Sequence, residues 1–184
     1  MDQKRVELKR QFSAKRVILD GSIFSGLIGT LIVGSLSYNA EMWHGHYPRD
    51  IQEKAGPMSQ RAKRQRRFFA LPFVVIFFGM PLSSTLKLKR QNKGTLSFLT
   101  AFLHAYALFG FATFFDIPVL YSLLIVLWQP DFVVLAGTKG MASYHEYAFP
   151  LVGFLKGLGI ALVPSLLIAF LTSSKRAKGL HEAL

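Results

Sequence analysis

Four long stretches without a charged residue limit what this chain can fold into. They cover residues 21–38, 68–86, 94–115 and 157–174. Each is close to the roughly 20 apolar residues that an α-helix needs to cross the hydrocarbon core of a bilayer. Only 17% of the 184 residues are charged, against about 25% in an average soluble domain. The sequence therefore predicts an integral membrane protein and argues against an ordinary water-soluble enzyme.

The spans are predicted to be α-helices. Backbone amides inside a bilayer must be hydrogen-bonded within the protein, and these stretches lack the alternating pattern of a barrel strand. We predict an all-α, polytopic four-transmembrane-helix bundle, in which residues 17–172 form a single domain between basic segments at 1–16 and 173–184. The four spans run from about Val17 to Tyr38, from Phe68 to Leu86, from Leu96 onward, and from Phe149 to Leu171.

The third span is longer than a bilayer requires. From Leu96 to Trp128 it holds 33 residues, which is about 50 Å as a straight helix against a hydrocarbon core of about 30 Å. Asp116 and Pro118 interrupt the segment, so a kink is predicted there. Residues 117–128 either continue the helix or turn along the membrane interface, and the sequence is compatible with both arrangements.

The basic residues flank the spans and decide the predicted orientation. Lysine and arginine total 22 against ten acidic residues, a formal charge of +12. Thirteen of them lie on the side of both termini and eight on the other, which predicts cytoplasmic termini in a cell membrane. The cluster from Arg61 to Arg67 opposes this orientation. The basic rims are expected to contact anionic lipid head groups and not nucleic acid, because no RNA-binding aromatic motif accompanies them.

Small residues recur at every fourth position in two of the spans. Such spacing lets helix backbones approach closely, which is how helices associate inside a membrane. We predict packing within the bundle, or across a homo-oligomer or larger membrane complex; a ligand groove along these faces is the alternative. The stripes are Ser22, Gly26, Thr30 and Gly34 in the first span, and Gly153, Gly157, Ala161, Ser165 and Ala169 in the fourth.

Histidines and carboxylates occur together in the two loops that the topology places opposite the termini. Histidine with carboxylate is a common ligand set for zinc, iron or manganese, and His-x-His directs both rings to one side of an extended strand. One interpretation is a catalytic site or a divalent metal held by His44, His46 and His145. The favoured one is ordinary polar structure at an aromatic interface belt, with no cofactor. The candidate cluster comprises Glu41, His44, His46, Asp50, Asp131, His145 and Glu146.

Three further polar residues, His104, Asp116 and Lys156, lie inside the predicted spans. A charged group within a bilayer is costly unless it is paired or hydrated. Asp116 and Lys156 are predicted at similar depth, so we expect an ion pair between them, direct or through one water. The alternative is that Lys156 extends to the head groups. His104 is either a neutral core histidine bonded to another helix, which we favour, or part of a proton or ligand path.

Three short motifs are similar to those of an uncharacterised family of small bacterial multi-pass membrane proteins. They are Trp43, Tyr47, Pro48, Asp50 and Ile51 in the first loop, the basic run at 63–67, and the Gly-Phe-Leu-Lys-Gly of 153–157. The resemblance covers most of the chain. It implies a multi-pass membrane fold but no activity, so no residue role follows from it.

Two functions from different classes fit the sequence. The favoured one is a non-catalytic four-helix bundle, acting as a subunit, scaffold or small permeation unit with lipid-contacting basic rims. The alternative is a membrane-embedded enzyme acting on a lipid or other hydrophobic substrate through the loop histidines and carboxylates, with or without a metal. The chain has no cysteine, which removes thiolate nucleophiles, and no Walker loop, His-Glu-x-x-His motif or Gly-x-Ser-x-Gly elbow is present.

Overall fold

The computed structural model describes residues 12–174, and most of these residues are helical. Four helices are long and apolar enough to cross a membrane, and no strand occurs within the described range. The predicted all-α fold with four transmembrane helices is therefore confirmed. Residues 1–11 and 175–184 lie outside the described range, and they make up most of the predicted basic end segments 1–16 and 173–184. The α-helices are α1 (Ala14–Asn39), α2 (Arg49–Ala55), α3 (Gln60–Gln91), α4 (Phe98–Phe114) and α5 (Ala148–Thr172).

Serine side chains begin three of the four long helices. The hydroxyl groups of Ser13, Ser59 and Ser97 accept hydrogen bonds from backbone N–H groups three residues further on, at the starts of α1, α3 and α4. Such capping satisfies amide donors that have no partner within the helix. The polar cap residues therefore fix where each helix begins.

The second membrane helix is longer than its apolar run. The span predicted at 68–86 lies inside the 32 residues of α3, which starts at Gln60 and contains Pro72 and Pro81. The basic cluster from Arg61 to Arg67 consequently forms the first two turns of the same helix. The cluster is thus a helical extension of the membrane span, rather than a separate loop.

The third membrane helix changes its geometry where the sequence predicted a kink. From Phe115 to Trp128, α4 continues as a π-helix with Asp116 and Pro118 in its first turn. Proline has no backbone N–H and crowds the preceding turn, which explains a departure from α-helical bonding at this point. Residues 117–128 therefore continue the helix. It ends at Gln129, whose left-handed φ of 45° turns the chain into the following loop.

Close packing between α4 and α5 sets the register of the bundle. A Cβ atom added at Gly153 would lie 3.3 Å from Ile117, and one added at Gly157 would lie 2.6 Å from Cγ2 of Thr113. The two helices run antiparallel, so Gly153 is level with Ile117 and Gly157 with Thr113. Further along α5, Ala161, Ser165 and Ala169 are buried in the same stripe.

The bundle has two distinct ends. At the terminal end, where α1 begins and α5 finishes, the backbone N–H of Ser174 donates to the carbonyl of Leu96 at 2.9 Å. At the opposite end, the loops 40–59 and 129–147 pack on each other and form a cap. This cap contains α2 and three short 3-10 helices, at Ala40–His46, Asp131–Val133 and Ala142–His145.

Candidate functional site

Two buried tyrosines hold the cap together. The Tyr47 hydroxyl donates to the carbonyl of Val133 at 2.7 Å, and the backbone N–H of Leu135 donates to the Tyr144 hydroxyl at 3.0 Å. Burial raises the pKa of the Tyr47 phenol, and the neighbouring Tyr144 and Tyr121 rings raise it further. The hydroxyl therefore stays protonated and keeps donating its hydrogen bond. The cap is a small packed core and not a set of free loops.

The three loop histidines considered as metal ligands have separate environments. Nε2 of His44 lies 3.2 Å from the carbonyl of Gln52, the His46 ring lies against Trp43, and Nδ1 of His145 lies 3.0 Å from the carbonyl of Val126. His44 and His46 belong to a 3-10 helix, which has three residues per turn, so residues two apart do not share a face as they would on a strand. Within residues 12–174, no three histidine, aspartate or glutamate side chains form a group able to hold a metal ion.

The loop carboxylates serve the structure of the cap. Glu41 accepts hydrogen bonds from the backbone N–H and the hydroxyl of Ser59, which joins the first 3-10 helix to the start of α3. Asp50 accepts a hydrogen bond from the Ser143 hydroxyl and so joins the two loops.

The remaining loop carboxylates are at the surface. Lys139 donates a hydrogen bond to Asp131 at 2.8 Å, and this bond lowers the pKa of the Asp131 carboxyl. Both side chains of that pair are exposed, so its contribution to stability is small. Glu146 is also exposed. Glu41, His44 and Asp131 line one cavity of about 470 Å³ in the cap, whereas His46, Asp50, His145 and Glu146 do not line it, so the structure does not bring all seven predicted residues together.

A chain of polar side chains crosses the bundle near its terminal end. Arg16 and Asp20 of α1 form an ion pair of 3.3 Å, and the Ser84 hydroxyl of α3 donates to the same carboxylate oxygen at 2.5 Å. Nε2 of His104, from α4, lies 2.9 Å from the Ser84 oxygen. Three membrane helices are thus connected by one continuous set of polar contacts. Neither Asp20 nor Ser84 is among the candidate residues that the sequence singled out.

The direction of these hydrogen bonds argues against a nucleophilic serine. A carboxylate can only accept, so the Ser84 proton points to Asp20 and His104 must donate its Nε2 proton to the serine oxygen. A general base would have to accept the serine proton instead. Ser84 and His104 are also 2% and 0% exposed, which leaves a substrate no access. His104 Nδ1 is buried without a hydrogen-bond partner among the described residues.

The second polar feature of the membrane region is an open groove between α1 and the junction of α4 with its π-helix. We call it the α1/α4 groove; its volume is about 720 Å³. The small-residue stripe of α1 forms one wall, and added Cβ atoms at Gly26 and Gly34 would meet nothing within 4 Å. No helix within residues 12–174 therefore covers the first stripe. The lining includes small residues of α1 and one acidic residue of the π-helix: Ser22, Ser25, Gly26, Thr30, Gly34 and Asp116.

Two polar groups of the α1/α4 groove lack partners. Asp116 makes no hydrogen bond and no ion pair within residues 12–174, where the ion pairs are Arg16–Asp20 and Lys139–Asp131. The Ser25 hydroxyl is buried and likewise without a partner in the described range. The predicted direct pair between Asp116 and Lys156 is therefore wrong within one chain. Asp116 faces the groove beside Gly29 of α1, whereas Lys156 lies on the exposed surface of α5.

Comparisons with protein-family models, with curated proteins and with solved structures find no match for this chain. The bacterial origin that the sequence motifs implied has no support from them. The described residues contain four helices long and apolar enough to cross a membrane, and no match assigns the chain a family or an activity.

Proposed function

We propose that this protein is a non-catalytic integral membrane subunit that works by associating with a second copy of itself through the α1/α4 groove. The observation that carries the proposal is the unpaired Asp116 beside an uncovered stripe of small residues. Small residues at every fourth position typically form the contact face between membrane helices. A face of this kind that none of the described helices covers is suited to a helix from another chain.

The energetics favour an occupant of the α1/α4 groove that carries a positive charge. An isolated carboxylate inside a bilayer costs roughly 2.5–3.5 kcal/mol on insertion scales. The buried Ser25 hydroxyl adds a further polar group without a partner. A neighbouring helix that brings a basic side chain to Asp116 would remove most of this cost.

Lys156 of a second copy meets this requirement. The register of α4 and α5 places Lys156 level with residue 114, two residues and about 3 Å from the level of Asp116. Rotation about an axis normal to the membrane does not change depth, so Asp116 of one copy and Lys156 of the other lie at matching depths across a parallel twofold dimer. Such a dimer contains the Asp116–Lys156 contact twice. The pair that one chain does not form is thereby formed between chains.

The geometry of the other polar groups supports a non-catalytic role. The Ser84 proton is directed away from His104, and both groups are enclosed by the bundle. The loop histidines bond to the backbone or pack on an aromatic ring. Ser84 and His104 are thus closed to a substrate, and the rings of His44 and His145 already lie within hydrogen-bond distance of backbone carbonyls.

Filling the α1/α4 groove should separate the two copies. A leucine at position 26 has open space within its own chain but occupies the room that a second copy needs. Sedimentation equilibrium in density-matched detergent should give a dimer for the unaltered protein and a monomer for Gly26→Leu. The matched control is Gly79→Leu, because Gly79 also has open space but lies on α3, away from the groove. A monomeric unaltered protein, or a Gly26→Leu variant that is as dimeric as the control, would contradict the proposal.

We further propose that the protein resides in a cell membrane with both termini in the cytoplasm and with basic rims against anionic lipids. The excess of basic residues at the terminal end supports this orientation. The helical basic cluster at the start of α3 puts a second basic rim at the cap end.

Single cysteines report the orientation directly, because the chain has none of its own. Gly45 lies in the cap with open space around it, and Thr95 is exposed in the loop between α3 and α4. An impermeant thiol reagent should label Gly45→Cys in intact cells and Thr95→Cys only after lysis. The reverse labelling pattern would invert the proposed orientation.

A further inference from the structure

A second cavity opens where α3 enters its apolar region. It lies between α1, the 3-10 helix Ala40–His46 and α3, and its volume is about 250 Å³. Arg66 and His46 line it together with Trp43, and Phe69 and Phe73 continue the lining along α3. The α1/α4 groove shares none of these residues, so the two sites are separate.

The cavity is charged at one end and apolar at the other. Arg66 lies at the end of the basic first turns of α3, and Phe73 lies seven residues further along the helix. At 1.5 Å per residue, the apolar wall reaches about 10 Å beyond the arginine. The cavity therefore complements an anionic lipid: its charged end suits the head group, and its apolar wall suits the acyl chain.

The polar groups of the cavity differ in whether they are already bonded. The Trp43 indole N–H donates to the Ser35 hydroxyl at 2.8 Å, and that hydroxyl donates to the carbonyl of Ile32 at 2.9 Å. The Arg66 guanidinium and the His46 ring make no hydrogen bond or ion pair within residues 12–174. The donors left for a ligand are therefore a cation and an imidazole, which favour an anion.

We infer that this cavity binds a phospholipid with an anionic head group. The phosphate of the head group lies against Arg66 and His46, and the start of an acyl chain lies along Phe69 and Phe73. A guanidinium matches the geometry of phosphate oxygens, and tryptophan is typical of the level at which head groups meet acyl chains. The inference rests on the proposed contact between basic rims and lipid, but it does not depend on dimer formation.

Tryptophan fluorescence gives a direct test, because the chain has only two tryptophans and Trp43 lines the cavity. A Trp128→Phe protein leaves Trp43 as the sole reporter. It is placed in neutral phosphatidylcholine vesicles with a small equal fraction of lipid brominated on the acyl chain. Brominated phosphatidylglycerol should quench Trp43 several-fold more efficiently than brominated phosphatidylcholine. Equal quenching by the two lipids would overturn the inference.

Two arginine variants test whether the preference for phosphatidylglycerol depends on the cavity. In the Trp128→Phe background, Arg66→Gln should abolish the preference for phosphatidylglycerol, whereas Arg64→Gln should retain it. Arg64 is the matched control, since it is exposed on the same helix and does not line the cavity. Equal loss in both variants would indicate general surface charge and would contradict a site.

Two additions separate the remaining possibilities. Millimolar glycerol 3-phosphate should leave the preference unchanged if the acyl chain is needed; loss of the preference would assign the cavity to a soluble phosphate and overturn the lipid. The preference should also persist in Gly26→Leu. Loss of the preference in Gly26→Leu would mean that the cavity requires the dimer, which would contradict the inference. The lipid site and the dimer can therefore be refuted independently.

Discussion

A Ser84→Ala variant is expected to lose about 1–3 kcal/mol of unfolding free energy, because the change leaves buried polar groups without partners. The Ser84 hydroxyl is the one contact between Asp20 of α1 and His104 of α4 in this polar chain. Its removal leaves the His104 Nε2 proton unbonded at a fully buried position. The measurement is the fraction of folded protein as dodecyl sulfate is added to mixed micelles.

Ser83→Ala is the matched control, because among the described residues that hydroxyl bonds only to the carbonyl of Met80, one turn earlier in the same helix. Its unfolding free energy should change by only a few tenths of a kcal/mol, as is usual for substitutions away from buried partners. The double variant Ser84→Ala, His104→Leu should be more stable than Ser84→Ala alone, because it removes the unbonded histidine as well. Equal stability of Ser83→Ala and Ser84→Ala would show that the polar chain does not hold the helices together.

The fold was largely predictable because membrane insertion makes helix formation obligatory. Uncharged runs of the right length located all four spans, and Asp116 with Pro118 marked the place where α4 becomes a π-helix. The length of α3 was not predictable from hydropathy. Its basic first turns are polar, and only the Ser59 cap shows that the helix begins before the apolar run.

The polar sites were less predictable, because they depend on which helix faces which. Lys156 and Asp116 are at similar depth, as the sequence suggested, but Asp116 lies beside α1 and Lys156 on the exposed surface of α5, so they form no pair within one chain. The metal-site hypothesis for His44 and His46 assumed an extended strand, and the chain forms a 3-10 helix there. Asp20 and Ser84 lie 64 residues apart, and the structure alone joins them.

Asp116 and Lys156 provide the strongest prediction about association. In a double-mutant cycle, Asp116→Asn and Lys156→Met should each weaken the dimer, and the two changes together should weaken it little more than either alone. This non-additivity is expected when both changes remove the same contact. Dimer dissociation constants, measured by energy transfer between labelled copies in vesicles, give the four values of the cycle.

Exchanging the two charges between chains tests the association through the α1/α4 groove most directly. One chain carries Asp116→Lys and the other carries Lys156→Asp. Each variant alone would place like charges together at both contacts, while a mixed dimer would restore two opposite pairs. Copies with different labels should therefore be monomeric when either variant is alone and should form mixed dimers at close to the unaltered level when combined. Dimers of either variant alone, or a mixture that stays monomeric, would contradict association through Asp116 and Lys156.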